Sequence, residues 1–330
     1  MRFADEFEAG KLTAPAVIML AFWTVAVVLW RTMGNPFLLY NFVYLGTAIG
    51  VGLGLYLALP RRKKHWGRRV SQFFMGGYLL VFLGLIKREN MQIEGFFFYL
   101  MAGVFGGSLI HYLVAKIAGP LLFNRGWCGW SCWTAMILDF LPYKRNTEGR
   151  LGGKWGRLRY LHFALSLGLV LVLWFGLGYR VEAHSLSGLY WFVGGNVLYY
   201  ASSIALAFIL KDNRAFCKYV CPIPTVLKVP ARFSLLKVEG DADRCTDCGA
   251  CAKVCPMDIR ISDYVQSGQR VLSTECVLCL ECTNACPKGA LDVTFGLDVG
   301  HRELLTVRVD DSPKTSASSA QAASMPAPRT

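Results

Sequence analysis

Residues 245–256 read CTDCGACAKVCP, and the same pattern returns at residues 276–287 as CVLCLECTNACP. Each copy spaces its four cysteines as C-x2-C-x2-C-x3-C and places a proline after the last one. Bacterial proteins that bind two 4Fe–4S clusters carry this run, and the fourth cysteine of each run ligates the other cluster. The repeat therefore predicts an α+β dicluster ferredoxin domain, which we place at residues 241–297.

The repeat also predicts which cysteines act together. Structural zinc sites take their cysteine ligands in two pairs. Disulfides are disfavoured in the reducing cytoplasm, which we expect this segment to face. Neither a zinc site nor a pair of disulfides therefore fits the two runs. Thiolate-bound clusters carry single electrons, and the motif thus predicts electron transfer. The predicted ligands of cluster one are Cys245, Cys248, Cys251 and Cys286, and those of cluster two are Cys276, Cys279, Cys282 and Cys255.

The remainder of the 330-residue chain, which is 54% hydrophobic overall, concentrates its apolar residues in long blocks. A helix needs roughly 20 apolar residues to cross a bilayer. Six blocks meet or approach this length and predict an α-helical membrane protein with six transmembrane helices. The predicted spans are 14–30, 37–59, 70–86, 96–119, 158–178 and 188–210.

Charge predicts how these helices are oriented. The formal net charge is +13, and the basic residues concentrate in segments 60–69 and 116–159. Because positive loops face the cytoplasm, we expect both termini on the cytoplasmic side of a bacterial cytoplasmic (inner) membrane. Loops that lie directly between spans favour contact with anionic lipid, and we predict no nucleic-acid partner.

These features divide the chain into five predicted parts. Residues 1–13 form a cytoplasmic segment, 14–210 the membrane domain, 211–240 a connector and 241–297 the ferredoxin domain. The extension 298–330 is rich in Ser, Ala and Pro from about residue 309, a composition that predicts disorder.

Four further cysteines lie outside the ferredoxin motifs. Segment 126–133, GWCGWSCW, contains Cys128 and Cys132, and CKYVCP contains Cys217 and Cys221. Both are C-x3-C pairs that follow a predicted span, and residues four apart share one face of a helix. We therefore expect four convergent thiols at the cytoplasmic edge. They fit a third Fe–S cluster or another metal site, a redox-active dithiol, or simple packing.

Other polar residues offer weaker signals. His111 and His162 lie in or near spans, and we favour hydrogen bonding between helices over a haem, which needs facing axial ligands. Glu89, Glu94 and His184 follow predicted spans at the outer face. There they could exchange protons with a quinol, although we favour solvated loop residues.

The combination of a multi-span region, two C-x3-C motifs and a dicluster module resembles the NapH/NosR/CcoG group of membrane polyferredoxins. The resemblance covers about residues 110–297. CKYVCP fits the family pattern, whereas Trp133 stands where the first motif usually has proline. The short outer loops leave no room for the flavin domain of NosR-like members, and the tail does not resemble the β-domain of CcoG-like members. The chain is thus most similar to stand-alone NapH-like or YccM-like electron-transport proteins.

The resemblance implies a membrane-bound protein that relays single electrons between the quinone pool, or a membrane partner, and a separate cytochrome, flavoprotein or ferredoxin. Such a chain is an electron-transfer subunit of a quinol- or ferredoxin-linked oxidoreductase system. One alternative is a copper reductase or assembly factor of CcoG type, in which the four membrane-edge thiols bind the metal. A second is a membrane redox sensor or scaffold without turnover.

Overall fold

The computed structural model describes residues 12–143, 150–151, 154–180, 184–298 and 303–304. Nearly all of the predicted N-terminal segment and the predicted disordered tail lie outside these residues. Within them, a domain of long apolar helices is followed by a small α+β domain that carries both cysteine runs.

The membrane domain is built from nine helices among the described residues, five of which are long and apolar enough to cross a bilayer. Its connections are short because caps begin and end the helices sharply. Gly34 ends the first helix with φ 66°, and the Asn35 side chain accepts the Phe37 N–H at the start of the second. The helices are α1 Thr13–Met33, α2 Pro36–Ala58, α3 Arg61–Ile86, α4 Ile93–Ala102, α5 Gly107–Phe123, α6 Gly126–Trp130, α7 Trp133–Leu138, α8 Trp155–Gly176 and α9 Leu186–Leu210.

The fourth predicted span, 96–119, is a bent pair of helices. The axes of α4 and α5 differ in direction by 112°, and the pair counts as a sixth span only if it crosses as one unit. Gly103 ends α4 in the left-handed conformation, with φ 65°. The six-span count and the cytoplasmic placement of both termini therefore stay predictions.

The bend buries a segment that we expected to be a solvated loop. The Glu89 side chain is buried, and its Oε2 accepts the Ser108 N–H of α5 at 2.7 Å. Glu94, in the first turn of α4, accepts a 2.6 Å hydrogen bond from Ser166 of α8. The solvated-loop interpretation was therefore wrong for both carboxylates. Each lies inside the helical domain and has a hydrogen-bond donor.

The basic segment 60–69 is also helical, although we expected a loop. It forms the first turns of α3, which packs closely against α2. A Cβ at Gly67 would overlap the backbone nitrogen of Tyr56, and one at Gly52 would overlap the Ser71 side chain. The next residue after Gly67, Arg68, is buried although it carries a charge, and it donates to the Gly129 carbonyl and to Asp139.

The second domain follows two short helices after α9. Its two strands pair antiparallel, with Val238 opposite Val293, and the cysteine loops lie between them in sequence. Its core contains Met257, Ile259, Val271 and Val277. The elements are α10 Ala215–Tyr219, α11 Ile223–Ala231, β1 Leu236–Gly240, α12 Ala250–Val254, α13 Ile261–Gln266, α14 Glu281–Ala285 and β2 Leu291–Phe295.

The contact between α2 and α3 gives a first prediction. We expect Gly67→Ala to destabilise the protein by about 1–3 kcal/mol, because the added methyl group meets backbone that cannot rotate away. Gly77→Ala is the matched control on the same helix, since open space surrounds that position. The thermal unfolding midpoint in detergent checks both variants. Equal midpoints for the two variants would contradict the close approach.

Candidate iron–sulfur sites

The two cysteine runs fold into loops of matching backbone geometry. Asp247 and Leu278 occupy the second position after the first cysteine, with φ 48° and 45°. Gly249 and Leu280 occupy the fourth position, with φ 68° and 60°. Left-handed backbone is unfavourable for leucine, by roughly 1–3 kcal/mol, and residues held this way cluster at functional sites. The repeat seen in the sequence is therefore also a repeat in backbone conformation.

The exchanged cysteine of each run is held in the same way. Cys255 Sγ accepts the Ile259 N–H at 3.4 Å, and Cys286 Sγ accepts the Ala290 N–H at 3.2 Å. Both donors lie four residues after the cysteine. Hydrogen bonds to sulfur are one means by which a protein sets the reduction potential of a bound cluster.

Two cavities bring together the cysteines that the sequence assigns to each cluster. One cavity is lined by Cys255, Cys276, Cys279 and Cys282, and the other by Cys245, Cys248, Cys251 and Cys286. Four thiols around one cavity fit a 4Fe–4S cluster, which is held by four cysteine thiolates. The ligand assignment itself stays a prediction, but the fold supplies the crossed arrangement that it needs.

The thiols of the second run are strongly desolvated. Burial raises the pKa of Cys276 to about 12, and Arg125 opposes this shift. Burial likewise raises the pKa of Cys279 to about 12, and Arg68 opposes it. These thiols are therefore protonated at neutral pH unless a cation stabilises the thiolate, and a coordinated metal does so.

The four remaining cysteines converge, but not along single helices as we expected. Cys128 lies within α6, whereas Cys132 lies beyond its end and precedes α7. Cys217 lies within α10, whereas Cys221 lies beyond it. Each pair therefore straddles a helix end, so the turn after the helix, rather than a shared helical face, directs the second thiol.

The four thiols lie close enough together to interact electrostatically. Burial raises the pKa of Cys221 well above its usual value, and the other three thiols raise it further. Burial also raises the pKa of Cys217 to about 11, while Arg214 opposes this from 4.0 Å. Among the described residues, no three His, Cys, Asp or Glu side chains are grouped closely enough to hold a single metal ion. We refer to Cys128, Cys132, Cys217 and Cys221 as the four-cysteine group.

The loop 276–280 docks directly on the membrane domain. A Cβ at Gly129, within the first C-x3-C motif, would overlap the Val277 carbonyl oxygen, so only glycine permits this approach. Alternate carbonyls of the loop accept hydrogen bonds across the interface: Cys276 from the Arg125 N–H at 3.3 Å, Leu278 from Trp130 Nε1 at 2.8 Å, and Leu280 from the Tyr56 hydroxyl at 3.4 Å.

One buried carboxylate joins the two domains. Glu275, just before the second run, lies 2.5 Å from Arg125 and 2.9 Å from Arg159, both of which are fully buried. Arg150 at 3.4 Å and Lys228 at 2.5 Å complete the group. These four cations, opposing the cost of burial, hold the pKa of Glu275 well below its usual 4.5.

Two further ion-pair networks surround the four-cysteine group. Asp139 accepts hydrogen bonds from both Arg68 and Arg214, each at 2.7–2.9 Å. Lys218, between the cysteines of the second pair, is fully buried and bridges Asp212 and Asp258 at 2.6 and 2.5 Å. The second carboxylate belongs to the ferredoxin domain. Sequence reasoning missed these networks, because it interpreted the basic residues as topology signals alone.

The arrangement defines a membrane-bound iron–sulfur protein, and comparisons with known proteins agree. Residues 237–294 match a family described as a 4Fe-4S dicluster domain. Residues 100–157 and 198–239 match a second family described as a 4Fe-4S binding domain, and these two segments contain the four-cysteine group.

Several proteins resemble the chain. It is 26% identical over 244 residues to the uncharacterized protein MJ0749 of Methanocaldococcus jannaschii, covering 68% of this chain and 85% of that protein. Over 207 residues it is 27% identical to YccM of Escherichia coli, and this match covers 56% of this chain and 55% of that protein. The name of YccM assigns it provisionally to electron transport. A ferredoxin of Thermococcus litoralis is 34% identical over 58 residues, which are 18% of this chain and 98% of the ferredoxin.

Through its C-terminal domain the chain belongs to the 4Fe-4S ferredoxin family, and its function is iron–sulfur electron transfer. A comparison with solved structures found no match. The narrower resemblance to NapH, NosR and CcoG stays a prediction.

The Glu275 group gives a second prediction. We expect Glu275→Gln to destabilise the docked protein by roughly 3–5 kcal/mol, because it leaves buried cations without their counter-ion. Since the pKa of Glu275 is depressed, its stabilising contribution is present above pH 4.5 and is lost as the pH falls through the lower folded-state value. Proteolytic release of the ferredoxin domain, measured against pH, checks both statements.

The matched control is Asp263→Asn, which removes an exposed ion pair with Arg260 inside the same domain. Exposed pairs contribute about 0–1 kcal/mol. If both variants release the domain equally, Glu275 does not hold the interface.

Proposed function

We propose that this protein relays single electrons between the quinone pool, or a membrane partner, and a separate redox protein. Bound 4Fe–4S clusters supply one-electron transfer, and the chain positions them at the edge of the membrane domain. In this proposal the ferredoxin domain faces the cytoplasm, and the basic residues of α3 and of segment 116–159 set that orientation.

The docking of loop 276–280 carries this proposal. Cys128, of the first C-x3-C pair, and Cys276, of the second run, both pack against the core that includes Cys279 and Cys282. Arg125, three residues before Cys128, donates its backbone N–H to the Cys276 carbonyl. A redox centre at the four-cysteine group would thus lie next to the second run, because the segment that carries Cys128 is in direct contact with the loop 276–280.

The opposite side of the ferredoxin domain is open to solvent. Cys248, in the first run, is exposed, whereas its counterpart Cys279 is buried against the membrane domain. We therefore propose that the first run faces the separate redox protein and the second run faces the membrane partner. The fold shields the thiols of the second run from water and leaves the side of the domain that carries Cys248 accessible for electron exchange with the redox protein.

We further propose that the four-cysteine group holds a third 4Fe–4S cluster. The match to a 4Fe-4S binding domain spans both C-x3-C pairs and supports this assignment. The charges around the group support it as well: Arg214 lies 4.0 Å from Cys217 Sγ, and Arg125 interacts electrostatically with Cys128 and Cys221. Cations at these positions stabilise thiolates and the negative charge of a thiolate-bound cluster.

Iron content tests the third centre. We expect about twelve irons per chain in anaerobically purified protein and about eight in the double variant Cys128→Ser, Cys217→Ser, since each 4Fe–4S cluster holds four. Met136→Leu is the control, because it conserves volume in the neighbouring helix. Eight irons in wild-type and variant alike would contradict the third cluster.

Electron donors and acceptors test the proposed relay. We expect duroquinol to reduce the full-length protein in detergent, observed as loss of visible cluster absorbance, and the rate to fall at least tenfold in the double variant. If duroquinol has no effect and Cu(II) instead oxidises the dithionite-reduced protein in a manner that needs the same cysteines, metal reduction replaces the proposal.

A further inference from the structure

A column of polar side chains extends from the four-cysteine group into the membrane domain. His162 and Ser166 lie four residues apart on α8 and therefore share one face of the helix. His162 Nδ1 lies 2.9 Å from the carbonyl oxygen of Val220, the residue before Cys221. One turn further along α8, the Ser166 hydroxyl donates to Glu94 at 2.6 Å.

The contact of His162 fixes its tautomer. A carbonyl oxygen only accepts hydrogen bonds, so Nδ1 carries a proton and Nε2 is the nitrogen that gains or releases one. The contact confirms that this histidine bonds to a neighbouring segment, as we expected. His111, by contrast, packs against Trp127, and its buried Nε2 has no partner among the described residues.

Tyr199 of α9 borders the same column. Its ring lies 5.6 Å from that of His162, and its buried hydroxyl has no hydrogen-bond partner in the described part of the chain. Buried hydroxyls are normally paired with protein or with ordered water. The unpaired hydroxyl of Tyr199 thus indicates a polar space between His162 and the interior of the membrane domain. Packing of the ring alone would not need a hydroxyl group at this position.

Among the described residues, few ionisable groups lie near this column of polar side chains. Tyr112 of α5 and Tyr199 each lie near enough to both Glu94 and Cys221 to interact with them electrostatically. Tyr112 interacts with Cys132 in the same way. Arg159, one turn before His162 on α8, is already paired with Glu275. Glu94 and His162 are therefore the carboxyl and imidazole groups that the column offers for proton exchange.

We infer that Glu94, Ser166 and His162 form a proton relay, through which one-electron reduction at the four-cysteine group is accompanied by uptake of one proton. The inference rests on the proposed third centre. One electron comes from a one-electron donor, and one proton passes from Glu94, whose carboxyl group Ser166 orients, to His162 Nε2 across the polar space that Tyr199 borders, after which Glu94 is reprotonated from solvent. The added negative charge is thereby balanced in a region of low dielectric, where an uncompensated charge is costly.

The test is a redox titration of the full-length protein, followed by electron paramagnetic resonance at several pH values. In the wild type we expect the midpoint potential of one centre to fall as pH rises, with one proton bound per electron. In His162→Gln that dependence should be lost, because the variant lacks the group that takes up the proton. In Glu94→Gln the dependence should remain at equilibrium, but reduction of that centre after rapid mixing with dithionite should slow at least tenfold. The matched control is Glu89→Gln, a buried carboxylate outside the column, which should keep both the pH dependence and the wild-type rate. His162→Asn serves if His162→Gln fails to fold.

The outcomes separate this inference from the proposed function. About twelve irons per chain with a pH-independent potential in the wild type would overturn the relay but leave the third centre standing. About eight irons would overturn both. A pH dependence that survives in His162→Gln, or a wild-type rate of reduction in Glu94→Gln, would show that the proton binds elsewhere or arrives by another route, and the assignment to this column would be wrong.

Discussion

The position of the ferredoxin domain depends on the buried carboxylate of Glu275. Arg125 and Arg159 are each fully buried, and desolvating a guanidinium costs several kcal/mol unless a partner compensates for it. Glu275 comes from the ferredoxin domain, whereas these two arginines come from the membrane domain. Only the docked arrangement satisfies all three charges, so the electrostatics select one relative placement of the two domains and disfavour others.

The interface carries more positive than negative charge, and this excess has a consequence beyond docking. Four cations surround Glu275, and Arg125 also interacts with the Cys128 and Cys221 thiols. A thiolate-bound iron–sulfur centre is anionic, so a surplus of buried cations nearby offsets its charge. The basic residues from which we predict the orientation of the helices therefore also stabilise thiolates at the membrane edge. Interpreting the charge as a topology signal alone missed this second role.

Local signals in the sequence predicted local features well. The cysteine spacing predicted both thiol sets that line the cavities, and apolar blocks placed α1, α2 and α9 within a few residues of their ends. The bend between α4 and α5 was missed because an apolar run of this length looks continuous, although Gly103 and Gly106 interrupt it. Long-range pairs such as Glu275 with Arg159, 116 residues apart, have no local signal at all.

The difference between the two repeats carries information that spacing alone does not. The first loop reads CTDCGAC and the second CVLCLEC, yet both adopt the same backbone. Asp and Gly suit left-handed positions exposed to water. Leu278 and Leu280 accept the same strain, and burial and the interface hydrogen bonds to their carbonyls offset it. Polar residues in one loop and apolar residues in the other therefore identify which cluster site faces the membrane domain. That asymmetry gives the protein an inner set of thiols shielded from water and an outer set in which Cys248 is exposed to solvent.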